Sequence, residues 1–221
     1  MPTGLNGQPV LTGGWSDPRL VTVPISGTSV SLTIRKGWYQ RVAAYVARRW
    51  HLEVEPLAKG QCWGYDYRPA RAGGGAWSSH STGYAIDLNS DSAGAQLWGD
   101  ARLKASHAQM RAMADIKNDT GLLWGGPRWA GGDYGPSDFA DGAWINHAKA
   151  RYVDPMHWDL PPGLPDAEAW LKAMCQRLRI KPDGTTASGY SPHILHLLAL
   201  RKRGVKLTAH QVHELHVALG R

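Results

Sequence analysis

The chain has 221 residues, enough for one good-sized domain, and its apolar fraction of 43% excludes wholesale disorder. Its net charge of +7 favours anionic partners: nucleic acid, a membrane surface or a polyanionic cell wall. No aromatic-basic signature and no zinc-finger spacing points to nucleic acid, and no run approaches membrane-spanning length.

In chain order, residues 1 to 18 are rich in Gly, Pro and Asn and are expected to be irregular. Leu20 to Ile25 and Val30 to Ile34 flank Ser26-Gly27-Thr28 and read as a hairpin. From Trp38 the period changes. Trp38, Val42, Tyr45, Val46 and Trp50 fall on one helical stripe, giving an amphipathic helix to about Trp50. Cys62 to Tyr67 reads as a strand ended by Arg68-Pro69, and Ala70 to Gly75 as a loop. Gly83 to Asn89 reads as another strand. Ser106 to Asn118 suits a helix with Met110, Met113 and Ala114 inward, ended by Gly121. Leu122 to Trp124 is a short strand. Trp129 to Ala150 is a long loop, and loops of that length in compact domains tend to be functional. Tyr152 to Leu160 is strand-like around Pro155. Asp166 is an N-cap for a helix through Leu178, which buries Leu171, Met174, Cys175 and Leu178.

Lys181 to Tyr190 is a linker by composition. Ser191-Pro192 opens a helix that ends at Gly204, and Thr208 with Gln211 makes a capping box for a last helix stopped by Gly220. The expected organisation is a catalytic-sized unit over residues 1–180, a linker over 181–190 and a C-terminal helical hairpin over 191–221. The order of short strands and helices predicts an α+β fold, with a small, mostly antiparallel sheet flanked by helices. Eleven tryptophans against one phenylalanine imply that much of the core is indole. Cys62 and Cys175 lie far apart and read as two reduced thiols.

The chemistry gathers around Ser78-Ser79-His80-Ser81-Thr82-Gly83-Tyr84-Ala85-Ile86-Asp87. On a strand from Gly83, Tyr84, Ile86 and Leu88 point to one face and Ala85 and Asp87 to the other. The first face is core. The second is nearly bare except for Asp87, with Gly83 and Ala85 leaving room beside it. His80, in the preceding turn, can lean over that face. His nitrogen and Asp oxygen are ordinary zinc donors, and a catalytic site needs a third ligand. Asp154-Pro155-Met156-His157-Trp158-Asp159 offers it: His157 completes a His/Asp/His set, and Asp154 is a carboxylate free to take a proton from water. Asp159 falls on the same strand face as His157 and reads either as a carboxylate that orients that ligand or as a surface aspartate.

The first stretch fits the pattern S-x-H-x-x-G-x-A-x-D at all five fixed positions. In this the chain resembles the zinc D,D-peptidases, which include the VanX and VanY dipeptidases and carboxypeptidases and the L-alanyl-D-glutamate endopeptidases of bacteriophage endolysins. Asp154-Pro155-Met156-His157 resembles the second motif of that family and looks most like the endolysin branch. Leu123-Trp124-Gly125-Gly126 is similar to the intervening Trp-Gly-Gly element, and Tyr67-Arg68-Pro69 to an upstream Tyr-Arg element. The resemblance covers roughly residues 35 to 160.

The resemblance implies a central Zn2+ held by His80, Asp87 and His157, with Asp154 as the base. It implies Arg68 as the cation that stabilises the oxyanion, with Arg71 as a rival, and Ser78 as a polar neighbour of substrate or ligand. The implied reaction is metal-assisted amide hydrolysis in the peptide stem of bacterial peptidoglycan, with no nucleic acid and no membrane insertion. The absence of a charged n-region and apolar h-region fits a product held in the host cytoplasm without a signal peptide and released to the wall. Two alternatives stay open: a D-alanyl-D-alanine dipeptidase or carboxypeptidase, and a wall-binding module with a structural zinc and no turnover.

Three other patterns are set aside. Asp87-Leu88-Asn89-Ser90-Asp91 begins like a calcium loop but lacks the glycine and glutamate that such a loop needs. His213-Glu214-Leu215-His216 is one residue short of the zincin motif, and these histidines read as the exposed flank of a helix that buries Val212, Leu215 and Leu219. Asn118-Asp119-Thr120 is a glycosylation sequon of little weight in a chain read as lacking a secretory signal.

Overall fold

The computed structural model describes residues 2–70, 75–90, 107–125, 156–186, 197 and 206–218. The predicted hairpin forms: β1 (Leu20–Pro24) and β2 (Ser31–Arg35) pair antiparallel, with Val23 opposite Leu32. α1 (Trp38–Arg49) follows and buries Val42, Tyr45 and Val46, while Trp38 packs partly buried on the same cluster. The chain then continues as one wide π turn, Trp50–Val54, which carries the fully buried Trp50.

The remaining elements are β3 (Ala85–Asp87), α2 (His107–Thr120), β4 (Leu123–Trp124), β5 (His157–Asp159), α3 (Ala167–Leu178) and α4 (Ala209–Ala218). β5 lies between β3 and β4 and runs antiparallel to both. Asp87 faces His157, Ala85 faces Asp159, and Ile86 and Trp124 flank Trp158. Side chains alternate along a strand, so this register sorts the sheet into two faces. Ile86, Trp158 and Trp124 share one; Asp87, His157, Ala85 and Asp159 share the other.

The apolar face explains the tryptophan content. Trp158 stacks on Trp124 with centroids 6.0 Å apart and meets Trp50 edge-on at 6.4 Å. These indoles fill the space between α1 and the sheet, joined by Tyr39, which meets Tyr84 edge-on at 5.3 Å. The architecture is thus mixed α and β, with small antiparallel sheets and helices packed on them.

The stretch Cys62 to Tyr67 departs from the regular strand expected of it. Trp63 pairs with Asp87 through an isolated antiparallel bridge, and two residues on the Tyr65 N–H turns to the Thr33 carbonyl of β2. Gly64 permits the crossing, because a Cβ there would lie 2.1 Å from the Thr33 carbonyl oxygen. The segment therefore stitches the two sheets together instead of extending either.

The caps follow the sequence. Asp166 accepts the Ala169 N–H at 2.9 Å, and Thr208 and Gln211 exchange the two bonds of a capping box at 2.9 and 3.2 Å. On α4, Leu215 is buried and His213 and His216 are exposed, but Val212 is 37% exposed where burial was expected. A spacing of three residues sets Val212 about 60° round the helix from Leu215, at the edge of the covered face. After α3, Ile180 bridges back to the buried Thr186. The predicted loop over 129–150 and the helix expected over 191–204 lie outside the described residues, apart from the buried Leu197. Among the described residues, no helix is long and apolar enough to cross a membrane.

Candidate metal centre

His80 sits in a 3-10 turn, Ser79–Thr82. The Ser78 hydroxyl caps the turn by accepting the His80 N–H at 3.3 Å, so this buried serine holds the ligand's backbone. Gly83 closes the turn at φ +75°, in the left-handed region, and a Cβ there would press on the Arg35 amide at 3.2 Å. Backbone geometry, and not room beside a metal, is what requires glycine at that position. Below the turn, the Gly64 carbonyl lies 2.6 Å from His80 Nδ1. A carbonyl can only accept, so Nδ1 donates to it and Nε2 is the nitrogen turned toward Asp87 and His157.

Three side chains then converge, with both oxygens of Asp87 in reach. His80 Nε2 lies 3.3 Å from His157 Nδ1 and 3.2 Å from Asp87 Oδ2, and His157 Nδ1 lies 2.8 Å from Asp87 Oδ1. Bonds of about 2.0–2.1 Å to a tetrahedral zinc place neighbouring ligand atoms about 3.3 Å apart. The nitrogens and the nearer carboxylate oxygens lie 2.8–3.3 Å apart, close to that spacing, and one ligand atom from each residue falls within 4.8 Å of the others. Both imidazole nitrogens and the carboxylate are turned toward one another, and a cation among them would be shared by all three. The residues fit a zinc ion. The side chains are 3%, 13% and 10% exposed for His80, Asp87 and His157, so all three are largely buried.

The register accounts for the assembly. Trp63, Asp87 and His157 are successive cross-strand neighbours and share a face. Trp63 is 52% exposed and forms an aromatic wall beside the ligands. Asp159, two residues beyond His157, is fully buried with its Oδ2 3.5 Å from His157 Nε2, which excludes the surface reading of that residue. The sequence did not point to Trp63, Gly64 or Asn6. The last of these reaches Asp159 from 153 positions away, and its only local signal is the turn dipeptide Asn6-Gly7.

The other expected residues are placed as follows. The Arg68 side chain bonds Asp66 Oδ2 at 2.7 Å, and its backbone N–H donates to the Ser81 hydroxyl at 3.0 Å, next to His80. Asp154 and Arg71 lie outside the described residues.

Burial works against the charge on both Asp87 and His157, and their partners outweigh it. Asp87 is held far below the ordinary carboxylate range by the charge of His80 and the hydrogen bonds of both histidines. His157 is raised to about 10 by its bonds to Asp159 and Asp87. In the metal-free protein the two shifts act at opposite ends of the pH scale. A raised histidine stabilises fully below its unfolded value of about 6.5, and that stabilisation is lost as pH rises through the folded value. A lowered aspartate stabilises fully above about 3.9 and loses that contribution as pH falls. The metal-free protein is therefore expected to gain most from this pair between about pH 4 and 6.5. Metal binding must displace the His157 proton, so each zinc bound at neutral pH is expected to release about one proton. Calorimetric titration in buffers of different ionisation enthalpy measures the release. Affinity that does not change between pH 6 and 9 would rule out His157 as a ligand.

Compared with known proteins, residues 72–135 match the sequence profile of a family described as D-alanyl-D-alanine carboxypeptidase. The matched stretch contains His80 and Asp87 and stops before His157. No curated protein and no solved structure matches the chain. The match covers less than a third of the chain, and it is a likeness of the segment that carries the first two candidate ligands.

Proposed function

We propose that the chain is a zinc-dependent peptidase that hydrolyses an amide bond in the peptide stem of bacterial peptidoglycan. The observation that carries the reading is the His80, Asp87 and His157 triangle, whose spacing suits one tetrahedral cation and whose donors are those of catalytic zinc sites. Bound zinc supplies an activated water and polarises the scissile carbonyl.

The protein groups do the rest. His80, fixed by the Gly64 carbonyl, and Asp87 with His157, fixed by the strand register, would hold the ion. Asp154, three residues before His157, takes the proton of the attacking water and returns it to the leaving amine. Arg68 supplies positive charge to the developing oxyanion once substrate competes with Asp66 for its guanidinium. Trp63 offers an indole face to the substrate beside Asp87. The basic surface suits an anionic wall.

In its finer form the proposal is an L-alanyl-D-glutamate endopeptidase of the bacteriophage endolysin type, released to the wall from the host cytoplasm. This rests on the likeness of Asp154-Pro155-Met156-His157 to that branch. The description of the matched family favours a second reading, removal of terminal D-alanine. Mass analysis of purified peptidoglycan digested by the zinc-loaded protein separates the two. New stems beginning with D-glutamate are expected for the endopeptidase, and free D-alanine for the carboxypeptidase. Intact muropeptides after exhaustive digestion, with zinc bound, would leave a wall-binding module and sink both.

A further inference from the structure

We infer that the N-terminal segment is a working part of the metal centre. In this inference Asn6 is a positioning residue: it holds Asp159 so that a carboxylate oxygen faces His157 Nε2 and His157 Nδ1 is left for the metal. The inference rests on the zinc reading above and adds a residue that neither motif contains.

Asn6 is fully buried. Its side-chain nitrogen has two hydrogens and two acceptors: Asp159 Oδ1 at 2.9 Å and Thr82 Oγ1 at 3.1 Å. Its oxygen accepts the Gln8 N–H at 3.1 Å. The reversed amide would set an oxygen against a carboxylate, so the orientation is fixed by chemistry. Each partner stands two residues beyond a ligand, Thr82 after His80 and Asp159 after His157. One side chain thus ties the turn that carries the first ligand to the strand that carries the third.

The Leu160 N–H also donates to Asp159 Oδ1, at 2.7 Å. With Oδ1 held by two donors, Oδ2 is the oxygen turned to His157 Nε2. An acceptor there keeps the Nε2 proton in place, and metal-bound histidines depend on such a partner for tautomer and ring orientation. The backbone of the segment is laid along the same turn, with Leu5 N–H on the Trp77 carbonyl at 3.0 Å and Leu11 N–H on the Ser81 carbonyl at 2.8 Å.

The test is zinc affinity of the full chain, measured by chelator competition, beside the melting temperature of the metal-free protein. Asn6→Ala is expected to weaken zinc binding about 10–100-fold, as removal of such outer partners does. Asp159→Asn is expected to do the same, and the double variant to bind no more weakly than the worse single variant, because the two residues act in series. Leu171→Ala, in the contact of α3 with α1, calibrates general loosening. It is expected to lower the melting temperature at least as far while leaving zinc affinity within about twofold. If Asn6→Ala does not fold, Asn6→Ser, too short to reach both partners, carries the same expectation. Zinc affinity within about twofold of wild type in the Asn6 variant would overturn the inference. Failure of the wild type to bind zinc would overturn the metal reading, and this inference with it.

Discussion

His157→Ala is expected to lower zinc affinity and peptidoglycan hydrolysis together, each by more than about 100-fold, since even outer partners of a ligand are worth about 10–100-fold. The effect is large because His157 serves three groups at once. Its Nδ1 closes the triangle with His80 and Asp87, and its Nε2 faces Asp159. Removing it leaves two ligands, too few for a catalytic zinc site. It also leaves two enclosed carboxylates on one face with their shared cation gone, and unpaired buried charge is destabilising. The metal-free variant should therefore melt lower than wild type at pH 7, and the gap should narrow as the pH is lowered and the carboxylates take up protons. Metal content, chelator competition and muropeptide release read the first two effects, and melts across pH the third. Equal hydrolysis by variant and wild type would end the metal mechanism.

The grouping of His80, Asp87 and His157 was legible because these residues lie on short, regular elements. Strand parity from Gly83 set Tyr84, Ile86 and Leu88 in the core and Asp87 on the opposite face, and all three apolar residues are buried. Asp166 and the pair Thr208 and Gln211 cap their helices as local chemistry requires. What failed to show was whatever depends on contacts distant in sequence. Gly83 looked like space for a metal, but it serves a left-handed turn against Arg35. Cys62 to Tyr67 carried a strand pattern, but Gly64 diverts it from β3 to β2. Asn6 lies in a segment that reads as irregular, and no period or motif reports a hydrogen bond to Asp159. Positions fixed by their neighbours in sequence can be read from the sequence, whereas partners chosen by the tertiary fold cannot.

Arg49 joins a local partner, Glu53, to a distant one, Asp119, and its replacement is expected to cost the most stability. It ends α1 with its side chain only 3% exposed. Its guanidinium grips Glu53, itself 3% exposed, with Nε to Oε1 at 2.7 Å, and also reaches Asp119 near the end of α2. Arg49→Ala would strand Glu53 as a buried unpaired carboxylate, a change worth about 3–5 kcal/mol. Domains of this kind have about 5–15 kcal/mol in all. Asp119 is 39% exposed, so water can replace its partner, and Asp119→Ala is expected to cost no more than about 1 kcal/mol. Arg49→Met with Glu53→Gln removes both charges and should recover most of the loss. Urea melts of the three variants test the order. A cost below about 1 kcal/mol for Arg49→Ala would show that Glu53 reaches solvent. The consequence extends to the metal. Trp50 follows Arg49 and meets Trp158 edge-on, and Asp119 stands just before β4, whose Trp124 stacks on the same indole. Trp158 lies beside His157 on β5, so the ion network anchors both supports of the strand that bears the third ligand. If the folded form binds zinc as proposed, adding it should raise the midpoint of Arg49→Ala by mass action, provided His157 is still in place.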